Sequence, residues 1–137
     1  MPGYAGTPLA KKLGLKNGFR VVLVGMPPDV RAELAEALAS CTVVKGGRGS
    51  LDFAMVFAQK QAELRSHLEN LAKQLAPAGM LWMSWPKKIS QVATEINEND
   101  VRRIGLEAGL VDVKVCAVSE VWSGLKFVRR VRDRVTG

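Results

Sequence analysis

The chain predicts an α/β fold of three layers: a sheet of about six strands, mostly parallel, covered by helices on both faces and finished by a C-terminal antiparallel hairpin. Three observations lead there. Short apolar runs of strand length alternate with stretches whose leucines and valines recur every three or four residues. The runs are nearly continuous rather than alternating, as in strands buried on both faces. Only a few residues separate the last two runs, too few for a parallel crossover, so these two pair antiparallel. At 137 residues, 47% apolar and 24% charged, the chain has the size and composition of a single domain, 1–137. Within it, 1–18 form an arm with a short helix, 19–130 the core and 131–137 a basic tail.

Thr7-Pro8 before Leu9-Ala10-Lys11-Lys12-Leu13-Gly14 predicts a short helix, with Thr7 capping, Pro8 at the first helical position and Gly14 as the left-handed stop. Asn17-Gly18 turns the chain into a first strand, Phe19–Val24, which Gly25-Met26-Pro27-Pro28 ends. Val30, Leu34 and Leu38 share one face of a helix over 29–39. Cys41–Val44 is a second strand, left through Gly46-Gly47-Arg48-Gly49-Ser50, and Asp52–Ala58 a third. Leu64, Leu68, Leu71 and Leu75 mark a helix over 61–76, stopped by Pro77-Ala78-Gly79. Met80–Trp85 is a fourth strand, halted by Pro86. The polar stretch 87–98 has no clear pattern. Asn97 or Asn99 caps a helix carrying Val101, Ile104 and Ala108, stopped by Gly109. Val111–Val118 and Leu125–Arg130 are the last strands, with Trp122-Ser123-Gly124 as the turn between them. Their free edge takes Arg129 and Arg130 as a charged cover.

The net charge is +7, and it is unevenly placed. Residues 1–20 carry Lys11, Lys12, Lys16 and Arg20 and no acid. Residues 126–137 carry Lys126, Arg129, Arg130, Arg132 and Arg134 against Asp133 alone, and the stretch between is nearly neutral. If the two ends meet, they form one positive face for phosphates or acidic partners. No apolar run approaches the ~18 residues of a membrane span and no signal-like segment opens the chain, so a cytoplasmic protein is expected. Cys41 and Cys116 have no metal-ligand spacing, and no metal is expected.

In parallel sheets of this kind ligands bind beyond the carboxyl ends of the strands. There the sequence places Lys87 and Lys88 after the fourth strand, Trp122 and Ser123 at the hairpin, and Lys126 at the start of the returning strand. An indole face, ammonium groups and a hydroxyl suit a phosphate, a carboxylate or a flat base. The plain alternative is that the tryptophans pack and the lysines are solvated. The glycine-rich loop at 46–50 lacks the Gly-Lys-Ser/Thr ending of a phosphate loop and leads into a strand, so it reads as a connection. His67 has no nucleophile and acid that can be tied to it. Glu95, Glu98 and Asp100 complement a helix start.

The order of elements resembles a shortened S-adenosylmethionine-dependent methyltransferase, a three-layer Rossmann-like fold. Leu51–Val56 resembles that family's fourth strand, and Leu75-Ala76-Pro77-Ala78-Gly79-Met80-Leu81 its entry to the fifth. Gly105-Leu106-Glu107-Ala108-Gly109-Leu110-Val111-Asp112-Val113 resembles its closing helix and strand. The resemblance implies a glycine-rich turn after the first strand and an acid after the second. This chain has Gly25-Met26-Pro27-Pro28 and Val44-Lys45 there. A second resemblance spans most of the chain. It is to a bacterial family of small proteins of unknown function, through Gly3-Tyr4-Ala5-Gly6-Thr7-Pro8-Leu9, Trp85-Pro86-Lys87-Lys88 and Trp122-Ser123-Gly124-Leu125-Lys126-Phe127-Val128-Arg129-Arg130.

The expected role is therefore binding rather than catalysis. A methyltransferase-like domain would hold an anionic or nucleotide-like ligand, or an acidic partner, at Lys87, Lys88, Trp122, Ser123 and Lys126, with no cofactor. One alternative is nucleic-acid binding by Lys11, Lys12, Lys16, Arg129, Arg130 and Arg132. The other is a transferase using S-adenosylmethionine.

Overall fold

The computed structural model describes residues 7–46 and 49–134. The opening Gly3–Gly6 motif, Gly47-Arg48 of the glycine-rich connection and the end of the basic tail at 135–137 lie outside the described residues. The elements are α1 (Leu9–Leu13), β1 (Arg20–Val24), α2 (Pro28–Leu38), β2 (Thr42–Val44), β3 (Leu51–Phe57), α3 (Gln61–Ala72), β4 (Leu75–Pro86), α4 (Glu98–Glu107), β5 (Leu110–Ala117) and β6 (Trp122–Arg129). Two single 3₁₀ turns, Lys88–Ser90 and Val131–Asp133, complete them.

The strands form one six-stranded sheet in the order β2-β1-β3-β4-β6-β5. The pairs β1–β2, β1–β3 and β3–β4 are parallel. β6 is antiparallel to both β4 and β5. This is the mixed, helix-covered sheet the sequence predicts. On one face Leu64, Leu68 and Leu71 of α3 and Val101 and Ile104 of α4 pack against Ala54, Val56, Leu81, Met83, Leu125 and Phe127. On the other, Leu9 and Leu13 of α1 and Val30, Leu34 and Leu38 of α2 pack against Val21, Phe53, Met55, Phe57 and Trp82. α1 is only five residues long and is held by a tertiary bond: the buried Trp82 Nε1 donates to the Leu13 carbonyl at 2.9 Å.

Several local expectations are corrected. Pro8, not Thr7, occupies the α1 N-cap, with no side-chain cap, while Gly14 is left-handed at φ 81° as expected. Leu75 keeps the four-residue spacing of α3 but belongs to β4, because Leu51 N–H bonds the Gln74 carbonyl at 2.8 Å and Leu51 pairs with Leu75. The register then shifts, and Pro77-Ala78-Gly79 is taken into the strand. A Cβ on Gly79 would lie 2.5 Å from the Leu51 carbonyl oxygen, so only glycine fits that shift.

Trp122-Ser123-Gly124 is strand, paired with Pro86-Trp85-Ser84. The turn lies earlier, where Ser119 Oγ accepts from the backbone N–H groups of Val121 and Trp122, both at 3.1 Å. Hydroxyl-built turns of this kind leave little trace in apolar patterning. Of the two asparagines, Asn97 is the cap of α4, exchanging bonds with Asp100 in a capping box. The unpatterned stretch before it is tied to the start of α3 through Gln59, whose carbonyl accepts from Glu95 N–H at 2.9 Å and whose amide donates to Ala93 O at 2.9 Å.

The sheet edge is not β6. β5 lies outside it, so Arg129 sits on an interior strand and covers no edge. β5 guards itself with a register shift between Asp112 and Lys114 and with Lys114 itself, both ways of discouraging further pairing.

Candidate functional site

β1, β3, β4 and β5 end, and β6 begins, at one end of the sheet. A cleft of about 550 Å³ opens there on the α1–α2 side. α1 contributes Lys12, α2 contributes Asp29 and Glu33, and the chain after β4 contributes Lys87. The β5–β6 turn adds Ser119 and Glu120. Asp29 and Glu33 share a helix face because they are one turn apart. The Lys87 backbone is fastened by its N–H to the Val121 carbonyl at 2.7 Å. Lys12 Nζ rests on the Ala117 carbonyl at 3.3 Å. Among the described residues, none of these lysines and acids pairs within 4.0 Å. The cleft thus holds two ammonium groups and three carboxylates that do not neutralise one another by contact. Ser119 Oγ already accepts two N–H groups and keeps its own proton to donate.

The sequence-predicted residues do not converge. Lys88 lies on the other side of the sheet, in a second cleft of about 500 Å³ with Trp85, Glu95 and Glu98. Lys87 is the last extended residue and Lys88 opens the 3₁₀ turn Lys88–Ser90, and the chain's change of course there separates the two. Trp122 stacks edge-on against Phe57, with ring centroids 5.1 Å apart, so its ring is engaged within the protein. Ser123, half-buried, pairs with Trp85 and Ala117. Lys126 is not at the end of the sheet. It lies four residues along β6 from Trp122, roughly 13 Å away at ~3.3 Å per residue, between Trp82 and Lys114. Burial, then Lys114, then Lys16 push its ammonium pKa down.

The two basic ends do not form one face either. Lys12 and Lys16 lie on the α1–α2 side, near β5 and β6. Arg129 Nε donates to Leu75 O at 3.0 Å, and Arg130 reaches Leu106 O of α4 at 3.5 Å. These belong to the opposite end and the α3–α4 side. Arg132 stands beside Asp133 at 3.9 Å, and Lys11 is exposed.

Position at the carboxyl end of the fourth strand pointed to Ser84–Lys88, but the sequence assigned Ser84 itself no role. It is fully buried at the carboxyl end of β4, and its Oγ has no hydrogen-bond partner. Gly124 opposite makes room for it: a Cβ there would lie 3.5 Å from Ser84 Oγ, 3.0 Å from Val118 and 3.1 Å from Trp82. A buried, unpaired hydroxyl carries its desolvation cost without return. Ser84→Ala is therefore expected to raise stability by about 1 kcal/mol in urea unfolding. A drop in the midpoint would show that the hydroxyl is bonded in solution.

The turn after β1 is also unlike an open cradle. Gly25 is left-handed at φ 66°, and a Cβ on it would lie 3.0 Å from the Phe57 carbonyl oxygen. The glycine serves a close approach within the protein. β2 ends in Val44 followed by exposed Lys45. No group of three or more His, Cys, Asp or Glu suited to a metal occurs among the described residues, and none of their helices is long and apolar enough to cross a membrane.

Residues 10–131 match the profile of a family described as a protein of unknown function, DUF3052. No curated protein matches the chain. Solved methyltransferases share the fold at low identity. A SAM-dependent methyltransferase from Aquifex aeolicus aligns with a TM-score of 0.59 at 17% identity, over 87% of this chain and 86% of its own. Magnesium protoporphyrin IX methyltransferase from Synechocystis, solved with bound SAH, gives 0.57 at 13%, over 89% and 78%. A TehB-like SAM-dependent methyltransferase from Corynebacterium glutamicum gives 0.55 at 9%, over 93% and 90%.

Proposed function

The chain belongs to the DUF3052 family of proteins of unknown function, and we propose that it uses its methyltransferase-like frame to bind a small nucleotide-like or zwitterionic ligand rather than to transfer a methyl group. The observation that carries this is the mixed cleft at the carboxyl end of the sheet, with Lys12 and Lys87 beside Asp29, Glu33 and Glu120. The lysines hold the ligand's anionic group. The carboxylates accept from its amino or base N–H groups, and Ser119 donates to one acceptor. The cleft's volume falls in the range of small-molecule sites. Of the expected set, Lys87 stays in the proposal. A cytoplasmic setting accords with both cysteines being free thiols.

S-adenosylmethionine is the alternative raised by the fold neighbours. The residues present fit it poorly. The space above Gly25 meets the Phe57 carbonyl, and Lys45 stands where a ribose-binding acid would be needed.

A thermal-shift and calorimetry panel tests the reading, with nucleoside mono- and diphosphates, free amino acids, S-adenosylmethionine and S-adenosylhomocysteine. A ligand at ~100 times its dissociation constant stabilises by about 2.7 kcal/mol, enough for a clear shift in midpoint. Nucleotide-like or zwitterionic ligands are expected to shift the wild type, with affinity falling at least about tenfold (~1.4 kcal/mol) in Lys87→Ala. A shift confined to the S-adenosyl ligands and unchanged in Lys87→Ala would favour the transferase. No shift with any compound would overturn the binding reading.

A further inference from the structure

Lysines cluster a second time away from the cleft, on the α1–α2 side of β5 and β6. Lys114 and Lys126 stand directly opposite each other across the two strands. Like charges in that position oppose strand pairing. Lys126 is also opposite Trp82, whose indole N–H is bonded to Leu13 O at the end of α1. That bond brings the chain leaving α1, with exposed Lys16, over the same strands. The electrostatics agree with the placement, since Lys114 and Lys16 both lower the Lys126 pKa. No ion pair among the described residues involves any of the three. Among the described helices, α4 alone packs extensively on β5 and β6, and it does so from the other side.

We propose that Lys16, Lys114 and Lys126 form a contact surface for the phosphate backbone of nucleic acid, separate from the ligand cleft. Three ammonium groups with no acid among them are relieved by an anion that carries charge at repeated spacing, as a phosphodiester chain does. A strand-forming acidic peptide is less suited, because the adjoining edge of β5 is bulged beside Val113 and bears Lys114. Among the described residues the ring beneath the patch, Trp82, is fully buried. The contact is therefore to phosphates, without base stacking and without sequence preference. This set differs from the basic termini read from composition. It keeps Lys16, adds Lys114 and Lys126, and leaves out Arg129 and Arg130, which serve the opposite side.

Fluorescence anisotropy with a labelled single-stranded DNA and the matching duplex tests the proposal. Affinity should fall with salt along a log–log slope of about −2 for the single strand and about −2.7 for the duplex, as three neutralised phosphates require. Lys114→Glu/Lys126→Met should lose at least about tenfold in affinity (~1.4 kcal/mol). Arg132→Glu, outside the patch, should change it less than twofold. Urea unfolding of each variant checks the fold, and relieving the opposed lysines should leave stability equal or higher. Unchanged affinity in the double variant overturns the proposal. So does poly-glutamate binding as tightly as DNA, which would point to an acidic protein instead. Ligand binding in the cleft should persist in the double variant, so the two proposals fail separately.

Discussion

Trp82→Ala is expected to cost about 4 kcal/mol in urea unfolding, the range for deleting a large buried aromatic. Trp82 is fully buried in the sheet, between Met55 on β3 and Lys126 on β6, and α1 packs on it. Its effect divides into two parts that a second variant separates. Trp82→Phe keeps much of the ring volume but removes the 2.9 Å bond to Leu13 O. That leaves a carbonyl to find another partner, for about 1–2 kcal/mol. Hydrogen exchange over residues 9–16 should then accelerate well before the sheet opens. Lys12 and Lys16 ride on that segment, so both proposed surfaces should weaken together in Trp82→Phe. Unchanged exchange there would show that α1 is held by its leucines alone.

Gly105→Ala is expected to destabilise by about 2 kcal/mol, although alanine is the better helix former by about 1 kcal/mol. Gly105 lies within α4, where its missing Cβ would sit 2.0 Å from Phe127 Cε1 and 2.3 Å from Cζ. Phe127 is fully buried in the same core, so its ring has no free volume to enter. Either α4 lifts from the sheet or the ring leaves its rotamer, and both are overpacking costs. Phe127→Leu in the Gly105→Ala background should recover part of the loss, giving a coupling of the opposite sign to simple addition. Strict additivity would mean that the ring and the helix do not meet in solution.

The fold was legible where burial sets the pattern. Val30, Leu34 and Leu38 revealed α2, and the unbroken run through Met55 and Val56 revealed a strand covered on both faces. Legibility failed where a tertiary bond overrode a local period. Leu75 reads as helix by spacing, yet the pairing with Leu51 makes it strand. Ser119 builds its turn through a hydroxyl, a signal that apolar periodicity does not carry. The site was less legible still. Position along the chain located Lys87 at the carboxyl end of the sheet, but Lys88 enters a 3₁₀ turn that takes it to the other side, and β6 starts at Trp122, which leaves Lys126 four residues from that end. Asp29 and Glu33 lie on the helix predicted over 29–39, off the face of Val30, Leu34 and Leu38. Their place beside Lys12 depends on how α1 crosses the sheet, which no single segment encodes.

The interior position of β6 bears on how the chain is made. Synthesis runs from the N-terminus, and β6 is the last of the described strands to appear. Until residues 122–129 leave the ribosome, β4 keeps one bare edge and β5 has nothing to pair with. The half-made sheet β2-β1-β3-β4 thus waits with an open, apolar flank, the state most prone to joining a neighbouring chain. Closure comes by inserting the final strand into a reserved slot rather than by adding it at a rim. A released chain truncated before Trp122 should accordingly depend on chaperones, and a released chain ending just after Arg130 should not.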